Sequence, residues 1–205
     1  PDPGSAEMAA LAREAGVPVL EDEAHALFTD LVGGATGRLG DAVIFSLHKQ
    51  LACEVGGELR VKAGAPEPFF MALEAGQQLE GALDPSDYDL AQLAQRRLEN
   101  AQMLAEALAE HCPGVTPLWP CIEEGVIPQT FPVIIEHADR DRLYERFNAA
   151  GWGGTSLYHT MIPEITPADF PDSHWLARRI FNLPIHQDVE PEQMIPMAKA
   201  LRELL

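Results

Sequence analysis

Five side chains that could do chemistry together follow two short apolar runs in the first 50 residues. The runs cover residues 17–20 and 42–45, and each has about the length of a buried parallel strand. The side chains that follow them are Asp22, His25, Ser46, His48 and Lys49. Because ligands of open α/β sheets bind outside the carboxyl ends of the strands, we expect these groups to share one crevice.

An amine, a carboxylate, a hydroxyl and an imidazole in one crevice suit pyridoxal phosphate (PLP). The aldehyde of this cofactor needs a lysine amine, for which Lys49 is the candidate. Its ring nitrogen needs a carboxylate, for which Asp22 is the candidate. His25 can reach the phenolic oxygen, and Ser46 can donate to the phosphate. The sequence therefore predicts a PLP site in which Lys49 is also the catalytic residue, while His48 stays outside the catalytic set.

Short motifs that include these residues occur along the chain in a definite order. They are Glu21-Asp22-Glu23-Ala24-His25, Gly37-x-x-Gly40-Asp41, Phe45-Ser46-x-His48-Lys49, Gly56-Gly57, Arg96-Arg97-x-x-Asn100-Ala101, Phe131-Pro132-Val133 and Leu183-Pro184-Ile185-His186. The ordered set resembles the DegT/StrS sugar aminotransferases, which belong to fold type I of the PLP enzymes. The resemblance extends over nearly all of the 205 residues.

The resemblance implies an α/β fold, namely the C-terminal part of a fold type I PLP-dependent transferase. We expect the remainder of a mostly parallel large-domain sheet with helices, followed by a smaller α+β domain. The expected divisions are 1–83 for the large-domain part, 84–112 for a long interdomain helix and 113–205 for the small domain. A chain without the N-terminal part of the enzyme is expected to be inactive alone.

The resemblance also implies an activity and its partners. An amino group would pass, by resemblance from glutamate, to a keto group of a nucleotide-linked sugar, as in polysaccharide biosynthesis. The long irregular stretch 151–170 would face the sugar, with Tyr158 and His159 as the substrate candidates. Members of the family are homodimers, so a second copy of the chain is an expected partner.

One spacing departs from the family pattern. Many members have two more residues between the serine and the lysine than the Ser46-x-x-Lys49 of this chain. The interval from Lys49 to Gly56-Gly57 fits the usual pattern, which places a two-residue deletion before the lysine. The sugar dehydratases of the family carry histidine in place of the lysine, so an aminotransferase is favoured if Lys49, not His48, is the aligned residue.

Charge and composition exclude some classes of function. The chain has 32 acidic and 14 basic residues, a net charge of −18, which argues against binding to nucleic-acid phosphates. Arg38, Arg60 and Lys62 are too few to define a basic patch for an anionic substrate. The sequence shows no signal peptide or transmembrane run, and its three cysteines lack a CxxC spacing. These features predict a cytoplasmic protein with no membrane partner.

Two other classes of function remain open on the sequence. One is a metal-dependent hydrolase whose ligands come from Glu21, Asp22, Glu23, His25 and His48, since carboxylates and imidazoles suit zinc or manganese. The chain lacks HExxH spacing, and a metal site would leave Lys49 without a role, so we predict no metal. The other is a non-catalytic relative that acts as an interaction module.

Hydrophobic periodicity and capping residues predict the remaining elements. Helices are expected over 5–15 with Ser5 as N-cap, and over 68–78, 84–111, 139–150, 173–181 and 190–205. Strands are expected over 58–62, 129–136 and 183–185. Pro132 predicts that the strand over 129–136 is an edge strand or carries a bulge.

Overall fold

A computed structural model describes residues 4–65, 84–156 and 159–205. The described residues belong to two compact units, one drawn from Pro1–Ala94 with Glu123–Ile127 and the other from Gln95–Ile122 with Pro128–Leu205. The helix predicted over 68–78 and the candidate Tyr158 lie outside the described residues. Within the described ranges, no helix is both long enough and apolar enough to cross a membrane.

Among its described residues, the first unit contains one helix, three strands and three single turns of helix. They are α1 (Ser5–Glu14), β1 (Leu20–Asp22), a π-helical turn (Thr29–Gly33), β2 (Ala42–Ser46), a 3₁₀ turn (Leu47–Lys49), β3 (Gly57–Val61) and a 3₁₀ turn (Pro85–Asp87). The sheet order is β1-β2-β3. β1 pairs with β2 in parallel, and β2 pairs with β3 antiparallel. The strands predicted over 42–45 and 58–62 are thus confirmed to within one residue.

The buried strand predicted over 17–20 is wrong in its position and its burial. β1 begins at Leu20, and Val17 and Leu20 are 55% and 43% exposed. Side-chain hydrogen bonding explains the shift, because the Val19 amide donates to Asp41 Oδ2 at 2.8 Å instead of joining a strand ladder. Pairing with β2 then starts with Leu20 opposite Ala42. Ser5 is also not an N-cap; α1 begins at Ser5, and its N-cap is Gly4.

The part of the second unit that the structure describes contains three strands and four helices, the first of which begins in the first unit. They are α2 (Leu90–His111), β4 (Val115–Pro117), β5 (Thr130–Ile135), α3 (Arg140–Ala149), α4 (Pro171–Ala177), β6 (Ile180–Pro184), a 3₁₀ turn (Pro191–Gln193) and α5 (Met194–Leu204). Both strand pairs are antiparallel in the order β4-β5-β6. The short β4 has no counterpart among the predicted strands.

Pro132 lies in the central strand of this sheet, so the prediction of an edge strand is wrong. The pairing of β4 with β5 ends with Pro117 opposite Val133, one residue away from the proline. The Pro132 carbonyl still accepts from the Leu118 amide at 2.9 Å. Pro132 pairs with Asn182 of β6 and lies just beyond the last residue paired with β4, so its missing N–H falls at the end of the β4 ladder.

The helix predicted over 173–181 extends too far. α4 ends at Ala177, and the last predicted residues belong to β6, where Phe181 pairs with Val133. Phe181 is fully buried and packs edge-on against Phe147, with 5.4 Å between ring centroids. Burial of this ring against the sheet therefore outweighs the local helical pattern.

Two buried polar residues of α2 anchor the turn that follows β6. Asn100 Nδ2 donates to the carbonyls of His186 and Val189 at 2.9 and 3.0 Å. Arg97 is 0% exposed, and it donates to Gln187 Oε1 at 2.7 Å and to the Gln129 carbonyl at 2.8 Å. Burial lowers the pKa of Arg97 to about 10, so the side chain keeps its charge at neutral pH. The Arg-x-x-Asn motif thus has a structural role in this unit.

Replacing Asn100 by Ala tests this anchor. The Asn100→Ala change leaves the His186 and Val189 carbonyls without their side-chain donor, so we expect the free energy of unfolding to fall by about 2 kcal/mol. Urea denaturation measures the loss. Gln102→Ala, at an exposed position of the same helix, is the control and should change stability by less than about 0.5 kcal/mol. Equal effects of the two changes would contradict the anchoring role.

Candidate active site at the carboxyl ends of two parallel strands

The parallel pairing of β1 and β2 brings the ends of both strands to one edge of the sheet. Asp22 is the last residue of β1 and lies opposite Ile44, and β2 ends two residues later at Ser46. The chain then turns through Leu47–Lys49 in a single 3₁₀ turn. Asp22 and Ser46 therefore lie at the ends of neighbouring strands, and Lys49 lies in the turn after β2, as the sequence predicted.

Lys49 and His25 are in direct contact although 24 positions separate them. The Lys49 Nζ lies 3.0 Å from His25 Nε2, and both residues are exposed. A lysine amine donates at this distance if the facing imidazole nitrogen carries no hydrogen. The contact joins the two residues for which the sequence predicted amine and imidazole chemistry in one site.

A buried glutamine that the sequence analysis missed connects the two segments behind this contact. Gln50 is 1% exposed, and its Nε2 donates to the His25 carbonyl at 2.6 Å. The Phe28 amide in turn donates to Gln50 Oε1 at 3.4 Å. Gln50 is adjacent to Lys49 in sequence, so it ties the lysine turn to the histidine loop. Only its position beside Lys49 could have indicated this in the sequence.

Ser46 and His48 meet at the other side of the turn. The His48 Nδ1 lies 3.4 Å from Ser46 Oγ and 3.3 Å from the Gly56 carbonyl oxygen. The Leu47 amide donates to the same carbonyl at 3.0 Å. Gly56 has φ +154°, a conformation that few other residues adopt, which gives the Gly-Gly pair a structural reason.

The acidic residues of the Glu-Asp-Glu motif have separate surroundings. Glu21 Oε1 accepts from the Leu39 and Gly40 amides at 2.9 and 2.6 Å, which fixes the Gly-x-x-Gly-Asp loop against β1. Asp22 is exposed, and its Oδ1 accepts from the Ala24 amide at 3.0 Å. Among residues 4–65, 84–156 and 159–205, no three His, Cys, Asp or Glu side chains are grouped to hold a metal ion.

The third acidic residue, Glu23, is buried behind the site. Burial raises the pKa of its carboxyl above the ordinary 4.5, and the nearby Glu21 and Asp30 act in the same direction. The Thr36 side chain and the Gly37 main chain act on the pKa in the opposite direction. Glu23 therefore belongs to the interior, whereas its neighbour Asp22 faces solvent.

The three basic residues considered for an anionic substrate all contact carboxylates. Arg38 Nη1 lies 2.7 Å from Asp30 Oδ1, Arg60 Nε lies 2.5 Å from Glu58 Oε1, and Lys62 Nζ lies 3.9 Å from Glu21 Oε1. Because each of these three cations is paired with a carboxylate, they do not form a basic patch on the first unit. The substrate candidate His159 is exposed in the second unit.

Comparison with known proteins identifies similar chains. The model of the DegT/DnrJ/EryC1/StrS aminotransferase family matches residues 5–65 and 88–202. The solved structure of DesI with its TDP-sugar product is similar at 23% identity and a TM-score of 0.73, covering 99% of this chain and 59% of DesI. DesV from S. venezuelae is similar at 21% identity and a TM-score of 0.71, covering 99% of this chain and 62% of DesV.

A third similar structure was solved in its PLP form. The PLP form of the putative sugar aminotransferase Spr1654 from Streptococcus pneumoniae has 17% identity and a TM-score of 0.65. The match covers 92% of this chain and 57% of Spr1654. This chain therefore spans about three fifths of the length of the solved structures that it matches.

The Gln50 connection predicts a stability effect. Gln50→Leu leaves the His25 carbonyl and the Phe28 amide without their partner in the interior, so we expect the unfolding free energy to fall by about 2 kcal/mol. Denaturant titration measures the change. The matched control is Gln92→Leu at an exposed position of α2, where we expect less than about 0.5 kcal/mol. An unchanged unfolding free energy in the Gln50→Leu variant would contradict a stabilising role for these hydrogen bonds.

The buried Glu23 predicts a pH dependence of stability. Its pKa is higher in the folded protein than in the unfolded chain, so the folded state binds this proton more tightly. Stability from this group is therefore present below the unfolded pKa and falls as the pH rises through the folded pKa. We expect Glu23→Gln to remove this fall, measured by thermal unfolding between about pH 4 and pH 8. Exposed Glu14→Gln is the control, and identical profiles for the two variants would contradict the interpretation.

Proposed function

This chain belongs to the DegT/DnrJ/EryC1/StrS aminotransferase family, and on that premise we propose that it forms part of a PLP-dependent aminotransferase. Its fold is α/β and corresponds to the C-terminal part of a fold type I transferase. The observation that carries the proposal is the 3.0 Å contact between Lys49 Nζ and His25 Nε2 at the ends of two parallel strands.

The donor groups at this edge fit PLP. When bound, PLP supplies an aldehyde that exchanges amino groups and a protonated ring that withdraws electrons. Lys49 would hold the aldehyde carbon, and the exposed Asp22 carboxylate would face the ring nitrogen. His25 would contact the phenolic oxygen, and the Ser46 hydroxyl would donate to the phosphate.

Lys49 is also the group that we propose to move the proton. As a free amine, its Nζ removes a proton from the α-carbon of the amino donor. His25 faces Nζ at 3.0 Å and orients the amine through its ring nitrogen. Gln50 fixes the His25 main chain through the 2.6 Å hydrogen bond to its carbonyl, so that the pair keeps its geometry.

The separate partners of His48 and Lys49 support an aminotransferase over a dehydratase. Lys49 contacts His25, whereas His48 contacts Ser46 and the Gly56 carbonyl. These contacts support the proposal that Lys49, and not His48, is the reactive residue in spite of the shorter Ser46-x-x-Lys49 spacing. An unreactive lysine in a non-catalytic relative would have no need of a buried glutamine that holds its partner.

For the substrates, we propose glutamate as amino donor and the keto group of a nucleotide-linked sugar as acceptor. Membership of the family supports this, as does the similarity to DesI, whose structure contains a TDP-sugar product. Tyr158 and His159 are the proposed contacts to the sugar. The pairing of Arg38, Arg60 and Lys62 with carboxylates means that other cations would have to bind the nucleotide phosphates.

For the whole enzyme, we propose a cytoplasmic homodimer in which this chain supplies the lysine side of the site. We also propose that residues 1–83 belong to the PLP-binding domain, 84–112 to an interdomain helix and 113–205 to the small domain. This chain covers 59% of DesI, and we propose that activity needs the remaining part of the enzyme.

Reduction with borohydride tests the function. The complete protein is incubated with PLP, reduced and mapped by mass spectrometry, which distinguishes Lys49 from Lys62, Lys199 and any lysine outside this chain. We expect the adduct on Lys49. Lys49→Ala should abolish it and lower turnover roughly 10³-fold or more, because the proton-moving group is lost.

Lys62→Ala is the matched control for this experiment. Lys62 lies in the same unit and contacts Glu21, and its replacement should leave the adduct in place. An adduct on Lys62 or Lys199 would refute the assignment of Lys49. A folded protein that takes up no PLP would favour an interaction module, and a bound metal found by elemental analysis would favour the hydrolase.

A further inference from the structure

One imidazole at the strand ends has no role in the proposed reaction. His48 is exposed, and its Nδ1 lies between two oxygens, 3.4 Å from Ser46 Oγ and 3.3 Å from the Gly56 carbonyl. Its position two residues after Ser46 and one before Lys49 places it on the turn between the proposed phosphate donor and the proposed reactive amine.

The Gly56 carbonyl decides which ring nitrogen carries the hydrogen. A carbonyl oxygen only accepts hydrogen bonds, so the His48 Nδ1 that faces it must be a donor. The same carbonyl also accepts from the Leu47 amide at 3.0 Å, which occupies its second lone pair. The structure therefore assigns His48 a hydrogen on Nδ1, in either the neutral or the protonated ring.

This assignment fixes the role of the serine hydroxyl. The Nδ1–H is shared between Gly56 and Ser46, and shared hydrogen bonds are longer than single ones, in agreement with 3.3 and 3.4 Å. Ser46 Oγ is thus the acceptor in its contact with His48. A hydroxyl that accepts from one side keeps its own hydrogen for an acceptor elsewhere.

We propose that His48 is a positioning residue that directs the Ser46 hydroxyl outward as a donor to the phosphate of PLP. The proposal rests on the function proposed above and adds to it a residue and a direction of hydrogen bonding. The anchor of the device is the Gly56 carbonyl, which is held in turn by the pairing of Ser46 with Gly57 between β2 and β3. With the opposite tautomer, Nδ1 would accept from Ser46 and turn its hydrogen away from the phosphate.

Comparing PLP with pyridoxal, which lacks the phosphate, isolates this effect. Affinities of both are measured in the complete protein, unaltered and with Ser46→Ala, His48→Phe or both changes. We expect His48→Phe to weaken PLP binding roughly 5- to 10-fold, the range of one hydrogen bond, and to leave pyridoxal binding unchanged. In the Ser46→Ala background, His48→Phe should cause no further loss, because the two residues act through one hydroxyl.

His48→Asn provides the rescue variant, since the amide nitrogen of asparagine can take the place of Nδ1 as donor. We expect PLP affinity to return to within roughly 2-fold of the unaltered protein, below the effect of one hydrogen bond. Nitrogen NMR of the ligand-free protein gives a readout that needs no cofactor, and it should find the hydrogen on Nδ1 of His48.

Three results would overturn the inference. They are equal losses of PLP and pyridoxal affinity, an undiminished loss in the Ser46→Ala background, and a neutral His48 with its hydrogen only on Nε2. Failure of the proposed function can be told apart from failure of this inference, because the unaltered protein would then form no adduct at Lys49. In that case the inference would fail as well. A normal adduct at Lys49 together with unchanged PLP affinity of the His48→Phe variant would refute the inference and leave the proposed function standing.

Discussion

Parallel pairing of β1 and β2 is the constraint on which the site depends. Leu20 lies opposite Ala42 and Asp22 opposite Ile44, so both strands run in the same direction and end at the same edge. Two segments that are more than 20 residues apart therefore deliver a carboxylate, an imidazole, a hydroxyl and an amine to one place. An antiparallel pairing would place Asp22 and Ser46 at opposite edges of the sheet, too far apart to form the proposed site.

Main-chain hydrogen bonds made by polar side chains hold this pairing in register. Glu21 binds the Leu39 and Gly40 amides, and Asp41 binds the Val19 amide, so the end of the loop before β2 is fixed against β1. Gln50 acts similarly on the His25 loop. Each of these bonds satisfies a backbone group that would otherwise lose hydrogen bonding on leaving water. Within the acidic motif, Glu21 thus stabilises the strand pairing, whereas the adjacent Asp22 is exposed to solvent.

The second unit uses the same principle around a buried arginine and asparagine. Asn100 donates to the His186 and Val189 carbonyls, and Arg97 donates to Gln187 Oε1 and to the Gln129 carbonyl, which fixes the turn after β6 against α2. Edge-on packing of Phe147 with Phe181 completes the interior beneath the sheet. The Arg-x-x-Asn and Leu-Pro-x-His motifs therefore have a structural role in this unit, whereas the residues proposed to bind PLP belong to the motifs of the first unit.

The sequence by itself determined the family, the α/β class and the set of candidate residues, because ordered motifs and residue chemistry are local properties of the chain. β2, β3 and α3 were also predictable, since their hydrophobic patterns and caps lie within the elements themselves. Only the tertiary structure decided that β1 begins at Leu20, that Pro132 lies in a central strand and that Phe181 is in β6. It also decided that Gln50 donates to the His25 carbonyl and that His48 faces the Gly56 carbonyl, because no local pattern specifies these backbone partners.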